Sequence, residues 1–95
     1  MFKFETVKIG DSEYEFFSYN IGKAPLLILR GRKGYAMCGY LNLEAAEKLG
    51  DTAVRASGVM NLETLLNAPV AGATSKAKLL GIKEGQKVSE IVSML

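Results

Sequence analysis

Two short segments of the chain hold most of the groups that could bind or transform a ligand. Gly39 to Glu44 reads G-Y-L-N-L-E, and Gly58 to Glu63 reads G-V-M-N-L-E nineteen residues further on. Each segment follows a short apolar run, and asparagine is a frequent capping residue at the start of a helix. The glycine lets the chain turn between the two elements. The repeat therefore predicts two strand-to-helix connections of the same geometry.

The repeat also places Cys38 and Ser57 at equivalent positions, each one residue before the turning glycine. Strands joined by a helical crossover run parallel, and we expect these two strands to be neighbours. Side chains two residues apart share a face of a strand, so Arg55 would lie on the face of Ser57 and Cys38. The guanidinium would then lie roughly 7 Å from the thiol, on the diagonal between neighbouring strands.

This edge of the sheet is predicted to bind a small anionic ligand. Helix N-termini present free N–H groups and a partial positive charge, and ligands of open α/β sheets favour the carboxyl ends of parallel strands. Arg55 would supply the counter-charge, and the two glycines would supply backbone donors. The predicted ligand-binding residues are Gly39, Asn42, Arg55, Ser57, Gly58 and Asn61.

Each of these residues also has a purely structural explanation. Asn42 and Asn61 fit plain helix caps, and Ser57 fits a turn. Arg55 needs a partner if its strand is buried, but that partner need not be a ligand. It could be a subunit contact or an acidic side chain of the same chain, namely Glu44, Glu47 or Asp51.

Cys38, the one cysteine of the chain, has two interpretations. A thiol beside a helix N-terminus and an arginine could have a lowered pKa and act as a catalytic nucleophile. A free cysteine more often behaves as a small buried apolar side chain. The chain has no histidine to act as a general base. A thiol enzyme with Cys38 as its catalytic residue is therefore the alternative hypothesis, and an assembly subunit without a ligand is the third.

Composition limits the class of protein. The 95 residues carry twelve basic and ten acidic side chains, and the net charge of +2 is too small to indicate a nucleic-acid partner. Without histidine the sequence predicts no metal site, and nothing in it indicates a cofactor. No apolar run approaches the roughly 20 residues that span a bilayer. A lone cysteine fits the reducing cytoplasm, so we expect a cytoplasmic protein without a membrane partner.

The chain is predicted to form a single domain over residues 1–95. Residues 1–21 form a β hairpin that turns at Gly10 and Asp11. The aromatic side chains of this hairpin fall on both of its faces, so both faces need a cover. The body of the domain, residues 22–95, covers one face, and a second copy of the chain would cover the other. We therefore predict a homo-oligomer that assembles through its N-terminal strands.

The body alternates strands and helices. Strands are predicted at residues 24–30, 35–38, 52–57 and 70–74, and helices begin after Asn42, Asn61 and Ser75. An amphipathic helix at the end of the chain presents one apolar face made by Val88, Ile91, Val92 and Leu95. The predicted fold class is α+β: a two-layer sandwich whose mixed sheet has antiparallel N-terminal strands and a parallel βαβα C-terminal half, with helices mainly on one face.

Three segments in this order resemble a known family. They are GYAMCGYLN from Gly34, RASGVMNLETLLNAPV from Arg55, and LLGIKEGQKVSEIV from Leu79. The resemblance covers roughly residues 24 to 93 and is to the YunC-like family, a group of small bacterial and archaeal domains of unknown function. It implies a compact α+β two-layer domain with an N-terminal β region used for tetramerisation, and it implies no particular reaction. The expected partner is therefore the chain itself, with a tetramer as one form.

Overall fold

A single mixed sheet of six strands organises the computed structural model, which describes residues 2–95. The strands lie in the sheet in chain order, β1-β2-β3-β4-β5-β6. Their bounds are β1 (Phe2–Ile9), β2 (Ser12–Asn20), β3 (Pro25–Arg30), β4 (Gly34–Met37), β5 (Thr52–Arg55) and β6 (Gly72–Ala73).

Strand direction follows the predicted division of the sheet. From β1 to β4, each strand runs antiparallel to the next. β4 and β5 are the parallel pair. The two-residue strand β6 runs antiparallel to β5 although a helix precedes it. The predicted α+β fold with a mixed sheet is confirmed.

Four short helices connect or follow the strands. They are α1 (Leu43–Leu49), α2 (Leu62–Asn67), α3 (Ser75–Leu79) and α4 (Val88–Ile91), and a 3₁₀ turn (Val92–Met94) continues α4. Within residues 2–95, none of these helices has the length and apolarity that crossing a membrane requires.

Asparagine caps begin the first two helices, as predicted. The Oδ1 atom of Asn42 accepts a hydrogen bond from the N–H of Glu44 at 2.8 Å, and the Oδ1 atom of Asn61 accepts one from the N–H of Thr64 at 2.8 Å. The Thr64 hydroxyl oxygen in turn accepts from the N–H of Asn61 at 2.9 Å, which completes a capping box.

The cap of α3 lies one residue before the predicted position. Thr74 has an extended backbone and Ser75 is already helical, so Thr74 is the N-cap. Its buried Oγ1 atom accepts a hydrogen bond from the N–H of Ala77 at 3.4 Å. The same atom accepts one from the N–H of Ala53 at 3.1 Å, so this threonine ties the helix to β5.

The side of the sheet that carries the main core is here called the core face. Leu27, Leu29, Ala36 and Val54 are fully buried on it. Helices α2, α3 and α4 cover this face and contribute the buried side chains of Leu65, Ala77, Val88 and Ile91. The apolar stripe predicted for the end of the chain is confirmed, since Val88, Ile91, Val92 and Leu95 are all buried.

The other side of the sheet is only partly covered. Helix α1 packs on it over β4 and β5, where Ala46 contacts Met37 and Ala53 in a second, smaller core. The helices therefore lie mainly on one face of the sheet, as predicted. Over β1, β2 and β3 this side lacks a cover from residues 2–95, and it is here called the open face.

The hairpin places aromatic side chains on both faces. Tyr14 and Phe16 are buried in the main core. On the open face Phe2 is 58% exposed and Phe4 is 56% exposed. Tyr19 pairs with Phe2 across the strands and is 43% exposed. The two-sided pattern that the sequence predicted is therefore present, and one side of it lies uncovered in the single chain.

Candidate ligand-binding site

The Cys38 thiol lies inside the main core. Its side chain is 2% exposed, and its Sγ atom accepts a hydrogen bond from the N–H of Leu27 at 3.3 Å. Leu27 lies on β3, so the thiol ties the end of β4 to the neighbouring strand. These features match the interpretation of Cys38 as a buried apolar residue.

The expectation that Cys38 and Arg55 share a face is wrong. In the parallel pair, Gly34 lies beside Thr52 and Met37 lies beside Arg55, an offset of 18 residues. The repeated segments are nineteen residues apart. Since neighbouring residues of a strand point to opposite faces, this difference of one residue places the guanidinium on the opposite side of the sheet from the thiol.

Cys38 and the first residues of both connections line a small pocket, here called the Cys38 pocket. It has a volume of about 280 Å³ and lies beyond the carboxyl ends of β4 and β5. Gly39 and Gly58, the two turning glycines, line it. The side chains around them are predominantly apolar and come from Ala24, Pro25, Cys38, Tyr40, Val59 and Met60.

Arg55 lines a different pocket on the other side of the sheet, here called the Arg55 pocket. Its volume is about 450 Å³, and it lies at the start of α1. The Nε atom of Arg55 is buried and has no hydrogen-bond partner within residues 2–95. No carboxylate within residues 2–95 lies within 4.0 Å of the Arg55 guanidinium. The ion pair found in this part of the chain joins Arg30 and Glu15 instead. The other lining residues are Asn42, Leu43, Glu44, Glu47 and Ala73.

The segment from Met37 to Leu95 matches the family model described as "Domain of unknown function (DUF1805)". This match spans more than half of the chain. The chain belongs to the DUF1805 family.

Two relatives agree with this assignment, and the predicted resemblance is confirmed. An uncharacterized protein of Bacillus subtilis (strain 168), YunC, is 31% identical over 88 residues, which are 88% of this chain and 87% of that protein. The crystal structure of TA1206 from Thermoplasma acidophilum, a protein of unknown function, is 43% identical and superposes with a TM-score of 0.97. The match covers 100% of this chain and 93% of that one.

The DUF1805 domain divides the predicted ligand-binding residues among separate places. Gly39 and Gly58 lie with Cys38 in one pocket, and Asn42 lies with Arg55 in another. Asn61 lines a third pocket, between α2 and the hairpin. Ser57 lies opposite Gly39 and not opposite Cys38: a Cβ atom on Gly39 would lie 3.8 Å from the Ser57 Oγ atom.

Glu47 of the DUF1805 domain is already engaged in the structure. One of its carboxylate oxygens accepts from the Ser75 hydroxyl at 2.6 Å, and the other accepts from the Ser75 backbone N–H at 2.7 Å. These hydrogen bonds lower the pKa of the Glu47 carboxyl. The carboxylate therefore stays ionised at neutral pH and joins α1 to the start of α3.

Sequence reasoning missed one polar pair near α1. The Tyr35 hydroxyl donates a hydrogen bond to the Asp51 carboxylate at 2.7 Å. Burial, followed by the hydrogen bond and the negative charge of Asp51, raises the pKa of Tyr35 to about 12. The sequence gives no signal for this pair, because Tyr35 lies in a strand and Asp51 follows a helix sixteen residues later. Only the parallel register of β4 and β5 brings them together.

Within residues 2–95 of the DUF1805 domain, the groups expected to activate the Cys38 thiol do not lie beside it. No lysine or arginine lines its pocket, and the chain has no histidine. The Arg55 guanidinium, which was expected to lower the thiol pKa, lies on the other face of the sheet. Within residues 2–95, no three cysteine, aspartate or glutamate side chains lie close enough together to hold a metal ion.

Proposed function

We propose that this DUF1805 chain is a cytoplasmic homo-oligomeric binding module that holds a small anionic ligand in the Arg55 pocket. The observation that supports the proposal is the buried Nε atom of Arg55, which has no hydrogen-bond partner within residues 2–95. A buried donor on a charged group costs free energy unless an acceptor satisfies it. An anion in the adjoining pocket of about 450 Å³ would supply that acceptor once the Arg55 side chain turns its Nε atom toward the pocket.

The chemistry of arginine favours a planar anion. A guanidinium presents its N–H donors in a rigid fork that matches the two oxygens of a carboxylate. Asn42 lines the same pocket, but its Oδ1 atom is engaged as the cap of α1. Its amide nitrogen therefore remains the group of Asn42 that suits a second ligand oxygen.

The two carboxylates around the pocket disfavour a doubly charged anion more than a singly charged one. Glu44 and Glu47 line the pocket together with Arg55, and Glu47 stays ionised because of its hydrogen bonds to Ser75. Two carboxylates beside one guanidinium repel a dianion more strongly than a monoanion. We therefore propose a small carboxylate as the ligand in preference to a phosphate.

The test measures anion binding at Arg55 directly. Sodium acetate and sodium phosphate are titrated separately at constant ionic strength, and the ¹H–¹⁵N signal of the Arg55 Nε group is followed by NMR. We expect acetate to shift this signal and phosphate to shift it less at equal concentration. At ten times its dissociation constant, acetate would stabilise the fold by roughly 1.4 kcal/mol, which raises the melting temperature by about 6–11 °C for a domain of this size.

Two variants give the matched comparison. Arg55→Met keeps most of the side-chain length without the donors and should abolish the acetate-dependent rise in melting temperature. Arg30→Met removes an arginine whose guanidinium already pairs with Glu15 on the surface at 3.2 Å, and it should leave that rise unchanged. An Arg55 Nε signal that neither acetate nor phosphate shifts would contradict the proposal.

The homo-oligomer in this proposal is supported by the open face. Its exposed aromatic residues form a continuous strip with Phe17, whose ring lies 5.1 Å from that of Phe2 between centroids. Contiguous apolar surface of this kind marks interaction sites on soluble proteins. A tetramer, as the family resemblance implies, would use this face between copies, and the buried free thiol of Cys38 suits a reducing cytoplasm.

A further inference from the structure

The Cys38 pocket lies where open α/β sheets commonly bind ligands, beyond the carboxyl ends of the parallel strands β4 and β5. Its walls are predominantly apolar, and no side chain that lines it carries a charge. Arg55 lies on the opposite side of the sheet and belongs to another pocket. The Cys38 pocket is therefore independent of the anion site proposed above.

Size determines what this pocket could hold. Its volume is about 280 Å³, and an apolar cavity of roughly 150 Å³ is large enough to take up benzene. A six-membered ring with a short substituent therefore fits. The exposed side chain of Met60 lies at the rim and is flexible enough to adapt to such a body.

Two exposed residues of the pocket lining, Gly39 and Gly58, have backbone N–H groups that are free to bind a ligand. The N–H groups of Gly39 and Gly58 make no hydrogen bond to any acceptor within residues 2–95. Both glycines line the pocket. An oxygen atom on the ligand would satisfy such a donor, whereas a purely apolar ligand would exclude water from it without compensation.

The charge of the ligand follows from the lining. An anion that enters an apolar pocket loses its hydration, and neither a lysine nor an arginine lines this pocket to compensate for that loss. We propose that the Cys38 pocket binds a small, neutral, mainly apolar molecule whose carbonyl oxygen accepts hydrogen bonds from the backbone N–H groups of Gly39 and Gly58.

The test compares three probes of nearly equal size: acetophenone, ethylbenzene and sodium benzoate. Each is titrated into the ¹⁵N-labelled full chain, and the amide signals of Gly39 and Gly58 are followed by NMR. Acetophenone should shift both signals and bind about 5- to 150-fold more tightly than ethylbenzene, the ratio that two net hydrogen bonds give. Benzoate should bind at least 10-fold more weakly than acetophenone, because its charge must be desolvated.

A charge added at the rim tests the reasoning about the ligand. Met60 is 53% exposed, so Met60→Lys should fold normally, and it should raise the affinity for benzoate at least 5-fold relative to acetophenone. Leu79→Lys places the same charge at another exposed position, outside the residues that line the pocket, and should leave the ratio unchanged. Arg55→Met should not alter acetophenone binding, even if it abolishes anion binding at its own pocket.

Three results would overturn the inference. The first is that none of the probes shifts the Gly39 and Gly58 signals at millimolar concentration. The second is equal affinity for ethylbenzene and acetophenone, which would show that the backbone donors take no part. The third is benzoate binding at this pocket as tight as that of acetophenone in the unmodified chain. Shifts confined to the Arg55 Nε signal would support the anion site alone and would count against this second site.

Discussion

The substitution Phe4→Ala tests whether the open face joins copies of the chain. Phe4 is 56% exposed in the single chain, and it lies on the open face beside Phe17. Phe4 pairs with Phe17 across the strands, so its loss should destabilise one chain by about 1 kcal/mol. The larger effect should fall on association, because covering this side chain is a large part of what a second copy gains.

The exposed area sets the magnitude. A phenylalanine presents about 200 Å² when fully exposed, so about 110 Å² of Phe4 remains for a partner to cover. At about 25 cal/mol per Å², and with allowance for the alanine methyl group, each copy loses about 2 kcal/mol. A two-fold interface contains this side chain twice, so the loss is about 4 kcal/mol. The dissociation constant should rise about 1,000-fold.

Sedimentation velocity between 1 and 50 µM measures this change. The unmodified chain should sediment as an oligomer, with a mass of about 41 kDa for a tetramer of 10.3 kDa chains, and Phe4→Ala should sediment mainly as smaller species. Leu79→Ala is the matched control, because Leu79 is 85% exposed but lies on α3 and not on the open face. A 10.3 kDa species for the unmodified chain at 50 µM would refute the reasoning, as would equal association of the Phe4 variant.

Three further predictions concern the stability of the domain, measured by urea unfolding. Gly34→Ala should destabilise the domain by about 3 kcal/mol or more, because a Cβ atom there would lie 2.1 Å from the Thr52 carbonyl oxygen. A Cβ atom at Gly39 meets its nearest atom at 3.8 Å, so Gly39→Ala should cost less than about 1 kcal/mol. Equal losses of stability in the two variants would contradict this explanation. Tyr35→Phe should lower the free energy of unfolding by about 1.5 kcal/mol at neutral pH. Since the pKa of Tyr35 in the folded chain is raised from 10.0 to about 12, the difference in stability from the unmodified chain should disappear as the pH rises from 10 to 12. A difference that does not change with pH would contradict the role given to the Tyr35–Asp51 hydrogen bond. Glu47→Gln should destabilise the domain above pH 4.5. Because the pKa of Glu47 in the folded chain is lowered, the stability difference between the variant and the unmodified chain should disappear as the pH falls below 4.5. A difference that persists in acid would show that the variant changes packing instead.

Local signals in the sequence were sufficient for most of the fold. The continuous apolar run of β3 predicts a strand. Leu27 and Leu29 on its core face are fully buried, whereas Leu26 and Ile28 on its open face are only partly buried. The caps Asn42 and Asn61 were identifiable because one side chain and the next few backbone N–H groups form the whole motif. The cap of α3 was displaced to Thr74 because Thr74 and Ser75 are both good caps, and their choice depends on contact with β5.

The candidate sites depend on contacts that no single segment contains. The orphan Nε atom of Arg55 arises where β5 passes under the start of α1, and the Cys38 pocket needs residues from the start of β3 as well as from both connections. Ala24 belongs to none of the motifs singled out in the sequence. The sequence could therefore indicate the edge of the sheet at which ligands bind, but not which side chains meet there.

The register of β4 and β5 explains why one predicted site became two. Gly34 pairs with Thr52 at the start of the parallel ladder, and a Cβ atom at Gly34 would lie 2.1 Å from the Thr52 carbonyl oxygen. Glycine at this position permits the close approach that the offset of 18 residues requires, while the repeated capping segments keep their spacing of nineteen. The repeat therefore indicates where two helices begin, and the strand register determines which side chains face each other. Because the two spacings differ by an odd number, the cation and the thiol lie on opposite faces, and a charged pocket and an apolar pocket form in place of a single site.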